Sequence, residues 1–402
     1  MPRPVRVAYY ASHPIQYQAP LLRRIAQERD IELLVLYGSD FSVRGYRDRR
    51  FGVEVKWDLP LLGGYRHEFL PKLRDDGSTG FARPLNRGFV SRLRRGLDGE
   101  PFDLLWVHGY STVNSLHAIM AAKALGIPVL LRAESWLADR PRSPLKLLGK
   151  RLFFRGLAKM IDGVLPIGTR NAEYWTHYFG ARVPQFPMPY AVDNESFQRL
   201  SQEASARRSE LQAELGLDPG CPVILFASKL QARKHCDHLL EAYRRLLALQ
   251  QPAPYLVVVG DGEQRASLER QAEGLEGVRF CGFRNQSEMP RFFDLATVFV
   301  LPSQDEPWGM VVNEAMNAGR AVIVSHNVGC QTDLVTPGVE GLVYAAGDVD
   351  ALCRALREIL TTSGLSGRMG AAALERIRNS NFEEDVAGLR KGIAWATGRL
   401  AN

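Results

Sequence analysis

Short apolar runs separated by helix-length segments recur along both halves of this chain, and that alternation constrains its fold more than any other feature. In the first half, VRVAYYA (Val5 to Ala11), IELLVLYG (Ile31 to Gly38), FDLLWVHG (Phe102 to Gly109), PVLLRAE (Pro128 to Glu134) and GVLPIG (Gly163 to Gly168) read as strands. APLLRRIAQE and SLHAIMAAKALG read as helices between them. Strands apolar at nearly every position are buried on both faces, which is the condition of a parallel sheet covered by helices. The second half repeats the scheme with PVILFAS, YLVVVG, VRFCG, TVFVLPS, RAVIVS and GLVYA. The pattern predicts an α/β protein built from doubly wound sheets. A chain of 402 residues exceeds one compact core, so two domains are expected. Val183 to Phe197, VPQFPMPYAVDNESF, is proline-rich and aperiodic and reads as their linker. The boundaries expected are 1–188 and 189–382.

The stretch Val298 to Ser325, VFVLPSQDEPWGMVVNEAMNAGRAVIVS, points furthest toward chemistry. A strand ends at Pro302, an acidic loop carries Asp305 and Glu306, and a helix runs from Met310 to Ala318 before Gly319 and the next strand. In an open α/β sheet such a loop, at the carboxyl end of a strand, borders the ligand crevice. The free amides opening the helix, at Gly309, Met310 and Val311, suit an anion. Glu306 and Glu314 bracket the helix start. Taken blandly they are solvated charges. Glu314 nevertheless lies among Val311, Val312 and Met316, and a buried carboxylate needs hydrogen-bond partners that a polyol would supply.

Lys229 and Lys234, in KLQARKHCDHLLEAY after the strand PVILFAS, straddle another strand-to-helix loop. As isolated lysines they are surface charges; at a strand's carboxyl end two cations suit a diphosphate leaving group. Arg233 stands between them. Gly260 and Gly262, in VVGDGEQR, begin a dinucleotide-like fingerprint, but Arg265 occupies the third glycine position. On the first half, His108, Arg132 and Glu134 end strands, where each either faces a crevice or makes structural pairs. Ser12, His13 and Gln16, in SHPIQYQAP, follow the first strand and are candidate polar contacts.

These residues resemble the retaining glycosyltransferases of family four, the group of glycogen synthase and the phosphatidylinositol mannosyltransferases. DEPWGMVVNEAMNAG matches their paired glutamates around an aromatic-Gly pair, with Trp308 where Phe is usual. The resemblance is strong over roughly residues 160–385 and otherwise rests on strand pattern. In the first lysine loop Ser228 replaces a Gly, Lys229 an Arg and His235 a final Gly. PYAVD stands where P-N-G-V-D is usual, with Tyr190 for Asn. SHPIQYQAP replaces a Gly-Gly loop. The resemblance implies a GT-B fold, two Rossmann-like domains facing a central cleft, with a terminal helix at about 383–402 packing back on the first. It implies transfer of a sugar from a nucleoside diphosphate to an acceptor hydroxyl with retention, in polysaccharide, glycolipid or other glycoconjugate synthesis. Glu314 then holds the ribose, Glu306 the sugar, and Lys229 and Lys234 the diphosphate. Trp308, Gly309, Met310 and Val311 supply backbone contacts; Ser228, Gly260 and Gly262 lie near the phosphates or ribose. Phe283 and Arg284 fall in the turn that holds the base. His108 touches the donor sugar, and Ser12, His13, Gln16, Arg132 and Glu134 are the acceptor-side candidates.

No Asp-x-Asp ends a strand and no His/Cys cluster has metal spacing, so neither a metal nor another cofactor is expected. No nucleophile with a partnered base is evident. An epimerase or hydrolase acting on the donor alone, and an idle scaffold that binds sugar nucleotides, are the rival readings. Five scattered cysteines and an N-terminus lacking an apolar leader point to a reduced, cytoplasmic protein. The net charge of +7 is uneven: residues 139–159, DRPRSPLKLLGKRLFFRGLAK, hold seven Lys or Arg against one Asp. That segment reads either as a half-buried helix with a solvated basic face or as a peripheral contact with an anionic membrane on its inner face. A second basic stretch, Arg83 to Gly96, adds weight to an acidic or lipid-linked acceptor. No nucleic-acid motif is present.

Overall fold

A computed structural model describes residues 3–47, 52, 54–137, 143–249 and 252–399. Positions 139–142 of the basic segment lie outside the described residues. The chain divides into two compact units: residues 1–46, 59–190 and 382–402 form the first, and residues 47–58 and 191–381 the second.

The first unit holds a six-stranded sheet in the order Gly163–Val164, Val129–Arg132, Leu104–His108, Val5–Ala11, Ile31–Tyr37 and Arg66–Phe69. Every pair is parallel. The central strands are buried almost throughout, as their unbroken apolar sequence requires. Chain order reverses between Val5–Ala11 and Leu104–His108, so the loops after these strands border this sheet's switch point. The aperiodic region after Phe41 supplies the sixth strand, the hairpin Lys72–Arg74 with Leu85–Asn86, and the helix Phe89–Arg95.

The helix Phe382–Thr397 belongs to the first unit. A β-carbon at Gly388 would stand 1.9 Å from the Pro187 carbonyl, and one at Gly392 2.9 Å from the Leu130 side chain. Glycine at both positions lets the helix close on the sheet. Asp385 on this helix reaches the buried Arg132, Nη2 to Oδ1 2.9 Å, and the same Nη2 donates to the Met188 carbonyl at 2.8 Å. Arg132 also lies over the Tyr190 ring at 4.7 Å. These contacts correct the expectation for Arg132. It ends a strand, but its side chain is 1% exposed and its charge is spent inside the unit rather than offered to an acceptor.

The second unit carries its own six-stranded parallel sheet, ordered Val278–Gly282, Tyr255–Val259, Val223–Ala227, Val298–Leu301, Ala321–Ser325 and Gly341–Tyr344. Here the order reverses between Val223–Ala227 and Val298–Leu301. The lysine-bearing and glutamate-bearing loops leave these two adjacent strands on the same edge. Residues 54–58 are held in this unit by local bonds: Asn285 Nδ2 donates to the Lys56 carbonyl at 2.7 Å, and the Ser287 amide to Asp58 Oδ2 at 3.2 Å. Trp57 meets Phe283 edge-on, with ring centroids 6.1 Å apart. Residues 47–58 thus group with the second unit, and the helix Phe382–Thr397 with the first. No helix among the described residues is long and apolar enough to cross a membrane.

Candidate active site

At the second unit's switch point the loop after Val223–Ala227 tightens into the short helical turn Ala232–Lys234. His235 follows with φ 51°, a left-handed conformation that favours glycine. The glycine expected at this position thus keeps its backbone shape with a different residue, and the helix Cys236–Leu247 starts immediately after it. The two loops are joined through Arg233. Its carbonyl accepts from the Gln304 amide at 2.8 Å, and its Nη1 donates to the Asp305 carbonyl at 2.6 Å.

Lys234 points inward and pairs with the carboxylate of Glu306; side-chain exposures are 8% and 13%. Arg233 Nη1 lies 3.6 Å from the same carboxylate oxygen. Burial, with the neighbouring Arg233 and Lys229 cations, pushes the Lys234 ammonium well below the usual lysine range. The nearby Asp305 carboxylate opposes that shift. Lys229 is half-buried beside the same loop. A cluster of cations held by one carboxylate can accept a polyanion, because the anion supplies the charge that burial withholds.

The glutamate loop is fixed from its other side. The Gly329 amide donates to the Glu306 carbonyl at 2.8 Å, and the Cys330 amide to the Trp308 carbonyl at 2.9 Å. A β-carbon at Gly329 would sit 1.9 Å from the Pro307 carbonyl, so only glycine permits this approach. Gly309 adopts φ 97° and turns the chain into the helix Met310–Asn317, whose first amides, at Met310 and Val311, have no preceding turn to bond. The helix ends in a Schellman arrangement, Gly319 amide to Met316 carbonyl and Arg320 amide to Ala315 carbonyl, each 3.0 Å. Trp308 turns its indole inward, 4% exposed, and Nε1 donates to Asn313 Oδ1 at 3.0 Å.

Glu314 stands on the second turn of this helix, half-buried, and accepts from Gln286 Nε2 at 2.7 Å. Burial pushes its carboxyl up to about 7, against the opposing pull of the Gln286 bond. A carboxyl raised in the folded state makes the protein most stable below the unfolded value, and that stability is lost as pH rises through about 7. Wild type and Glu314→Gln should therefore unfold at similar temperatures near pH 5. By pH 8 the variant should be the more stable by about 3 kcal/mol. Thermal unfolding at the two pH values checks this; an equal gap at both would show that Glu314 is not raised.

Gly260 and Gly262 pack beneath the lysine loop. β-Carbons there would stand 1.9 Å from the Ser228 carbonyl and 2.5 Å from the Leu230 carbonyl. Their part is to let the loop sit low. Ser228 donates its amide to the Val259 carbonyl at 3.1 Å. Phe283 pairs with Trp57, whereas Arg284 is occupied locally by Glu288 Oε1 at 3.1 Å and the Cys281 carbonyl at 3.1 Å.

The first unit gathers a second polar cluster at its own switch point. Gln18 Nε2 lies 2.9 Å from the His108 ring nitrogens and its side-chain oxygen takes the Tyr9 hydroxyl. His108 Nε2 is 3.8 Å from Glu134 Oε1, which also accepts from Tyr17 at 2.8 Å and from Tyr190. Burial opposes the Glu134 carboxylate, but the His108 ring and the two hydroxyls outweigh it and hold the group at about 2. His13 is pushed down to about 4 by burial and by His108, with Ser12 Oγ 2.9 Å from its Nδ1. Gln16 is half-exposed on the same loop. Sequence reasoning missed Tyr17, Gln18 and Tyr190 here and Gln286 beside Glu314. The polar run NQSE after the strand VRFCG was the one available signal for Gln286. Among the described residues no three His, Cys, Asp or Glu side chains are grouped as a metal would need.

Residues 207–376, within the second unit, match the family described as glycosyl transferases group 1. A 2-deoxystreptamine glucosyltransferase of Streptomyces kanamyceticus is 30% identical over 275 residues, covering 65% of this chain and 68% of the relative. The chain belongs to the group 1 glycosyl transferases. An alpha-D-kanosaminyltransferase of the same organism is 30% identical over 174 residues, 42% of this chain and 44% of that protein. The chain spans about half the length of several such relatives, 42–58%. Among solved structures, Anabaena HepE in complex with UDP superposes with a TM-score of 0.71 at 19% identity, covering 99% of this chain and 100% of that one. At that identity the likeness is one of fold, the two-domain α/β GT-B architecture of glycosyltransferases.

Proposed function

We propose that this member of the family transfers a sugar from a nucleoside diphosphate to an acceptor hydroxyl with retention, in glycoconjugate synthesis. The observation that carries this reading is the buried Lys234–Glu306 pair at the second sheet's switch point, with Arg233 and Lys229 beside it. The diphosphate lies against Lys229, Lys234 and the amides of Met310 and Val311. As the anomeric C–O bond breaks, charge grows on the departing phosphate, and cations already in place stabilise it without reorganisation. Glu306, freed in part from Lys234 by the phosphate, takes the sugar's hydroxyls. Glu314, fixed by Gln286, accepts from the ribose. Anabaena HepE, which shares the fold, was solved with UDP, and a uridine donor is the first to test. Because cations and helix amides neutralise the diphosphate, the reaction needs no metal. On the first unit, Glu134 remains the candidate contact for the acceptor.

The test is product formation from nucleoside diphosphate sugars and a panel of hydroxyl acceptors, with the product anomer read by NMR. A product keeping the donor's anomeric configuration, formed equally in EDTA, is the expected result. Rapid hydrolysis or epimerisation of donor without acceptor would replace transfer by a donor-only reaction. An absolute need for Mg²⁺ or Mn²⁺ would mean that the cations do not suffice.

A further inference from the structure

The helix Pro144–Leu157, PLKLLGKRLFFRGL, is anchored to the first unit by one side only. Phe154 and Leu157 are each 1% exposed, Phe154 stacks on Tyr178 with centroids 4.4 Å apart, and Lys150 Nζ lies 4.7 Å above the Tyr174 ring. At about 100° per residue these three positions share one face. The opposite face carries Leu145, Leu148 and Leu152, exposed by 78%, 53% and 61%. Leu147 and Phe153 lie beside the anchored face and are less exposed, 38% and 37%. Single exposed leucines are ordinary, but three on one outward face within eight residues of one helix form a patch.

Arg151 and Arg155 lie along one side of this stripe and Lys146 in the helix's first turn; all three are exposed, and none has an acidic partner among the described residues. Two earlier expectations change as a result. The helix is far more exposed than a half-buried one, and Lys150 is not part of the solvated charge, because its ammonium rests on aromatic faces of its own unit. The second basic stretch contributes less than its composition suggests, since Arg92 is paired with Glu68 and Arg83 with Asp76.

We infer that this face docks on an anionic bilayer surface, with the leucines entering the acyl boundary and Lys146, Arg151 and Arg155 meeting lipid phosphates. The apolar stripe and the exposed cations beside it together fit that occupant. A second copy of the chain fits poorly, because a two-fold contact would oppose two patches each carrying the segment's excess of basic residues. An acidic polymer would neutralise the cations and leave the leucines in water. The helix of 14 residues is too short to span and lies in the interface plane. The inference does not rest on glycosyl transfer, since binding is read without donor or acceptor.

Co-sedimentation with vesicles of phosphatidylglycerol in phosphatidylcholine, against phosphatidylcholine alone, provides the test. Wild type should bind the anionic vesicles and release them as salt rises. Leu145→Gln, Leu148→Gln and Leu152→Gln combined should weaken partitioning by about a hundredfold or more. Lys146→Glu, Arg151→Glu and Arg155→Glu combined should weaken it by roughly a hundredfold. Leu249→Gln, at a leucine 56% exposed in the second unit, should bind like wild type. All the changed side chains are solvent-exposed, and unchanged thermal unfolding confirms an intact fold. Failure of wild type to bind anionic vesicles overturns the inference, as does wild-type binding by the leucine variant. A dimer in solution that the leucine variant abolishes, with no vesicle binding, would assign the face to a second copy.

Discussion

Lys234→Ala is expected to reduce turnover by roughly 10²- to 10³-fold, a loss of about 2.7–4 kcal/mol of transition-state stabilisation. The magnitude follows from where the ammonium sits. It is nearly excluded from water and held by Glu306, so it is oriented before any donor arrives. Its interaction with phosphate strengthens as charge moves onto the leaving group. Donor affinity should therefore fall less than turnover. A second consequence is structural, because alanine leaves Glu306 buried with Arg233 as its nearest cation at 3.6 Å. Lys234→Met restores the volume without the charge and separates packing from chemistry. Both variants should turn over slowly, and Lys234→Met should unfold closer to wild type. Near-normal turnover by either at saturating donor would remove Lys234 from the reaction.

The strands were legible because a parallel sheet covered on both faces demands unbroken apolar runs, and Val223–Ala227 or Val298–Leu301 can hardly be read otherwise. The pairing of Lys234 with Glu306 was not legible in the same way. The residues are 72 positions apart, and only the reversal of strand order between their parent strands brings the loops together. Arg132 shows the opposite failure. Ending a strand made it a candidate for ligand contact, but its counter-charge, Asp385, lies 253 positions away on the last helix and has no local signature. Gln286 and Tyr190 were hidden because their partners, Glu314 and Glu134, are likewise distant in sequence. The irregular region after Phe41 lacked a long periodic run, and its one strand in the main sheet has only four residues, alternating exposed and half-buried. Local physics wrote the elements; topology alone placed the charges.

The two glutamates should divide the work of the donor between them. Glu314 is remote from the breaking bond and would hold a ribose equally in the ground and transition states. Glu314→Gln should then raise the donor's Michaelis constant by about ten- to a hundredfold while sparing turnover at saturation, the pattern of uniform binding. Because the carboxyl is raised to about 7, the wild-type Michaelis constant should itself climb as pH falls below neutrality. The variant's should stay flat over the same interval. Glu306 lies against the cations and, in the proposed complex, against the transferred sugar, where positive charge develops on the ring. Glu306→Gln should depress turnover by a similar factor. Part of that loss has an indirect origin, since Glu306 is the carboxylate that pairs with the buried Lys234 ammonium. Steady-state kinetics with varied donor would test both assignments. If Glu306→Gln altered only the Michaelis constant, or Glu314→Gln only turnover, the assignment of sugar to one carboxylate and ribose to the other would have to be reversed.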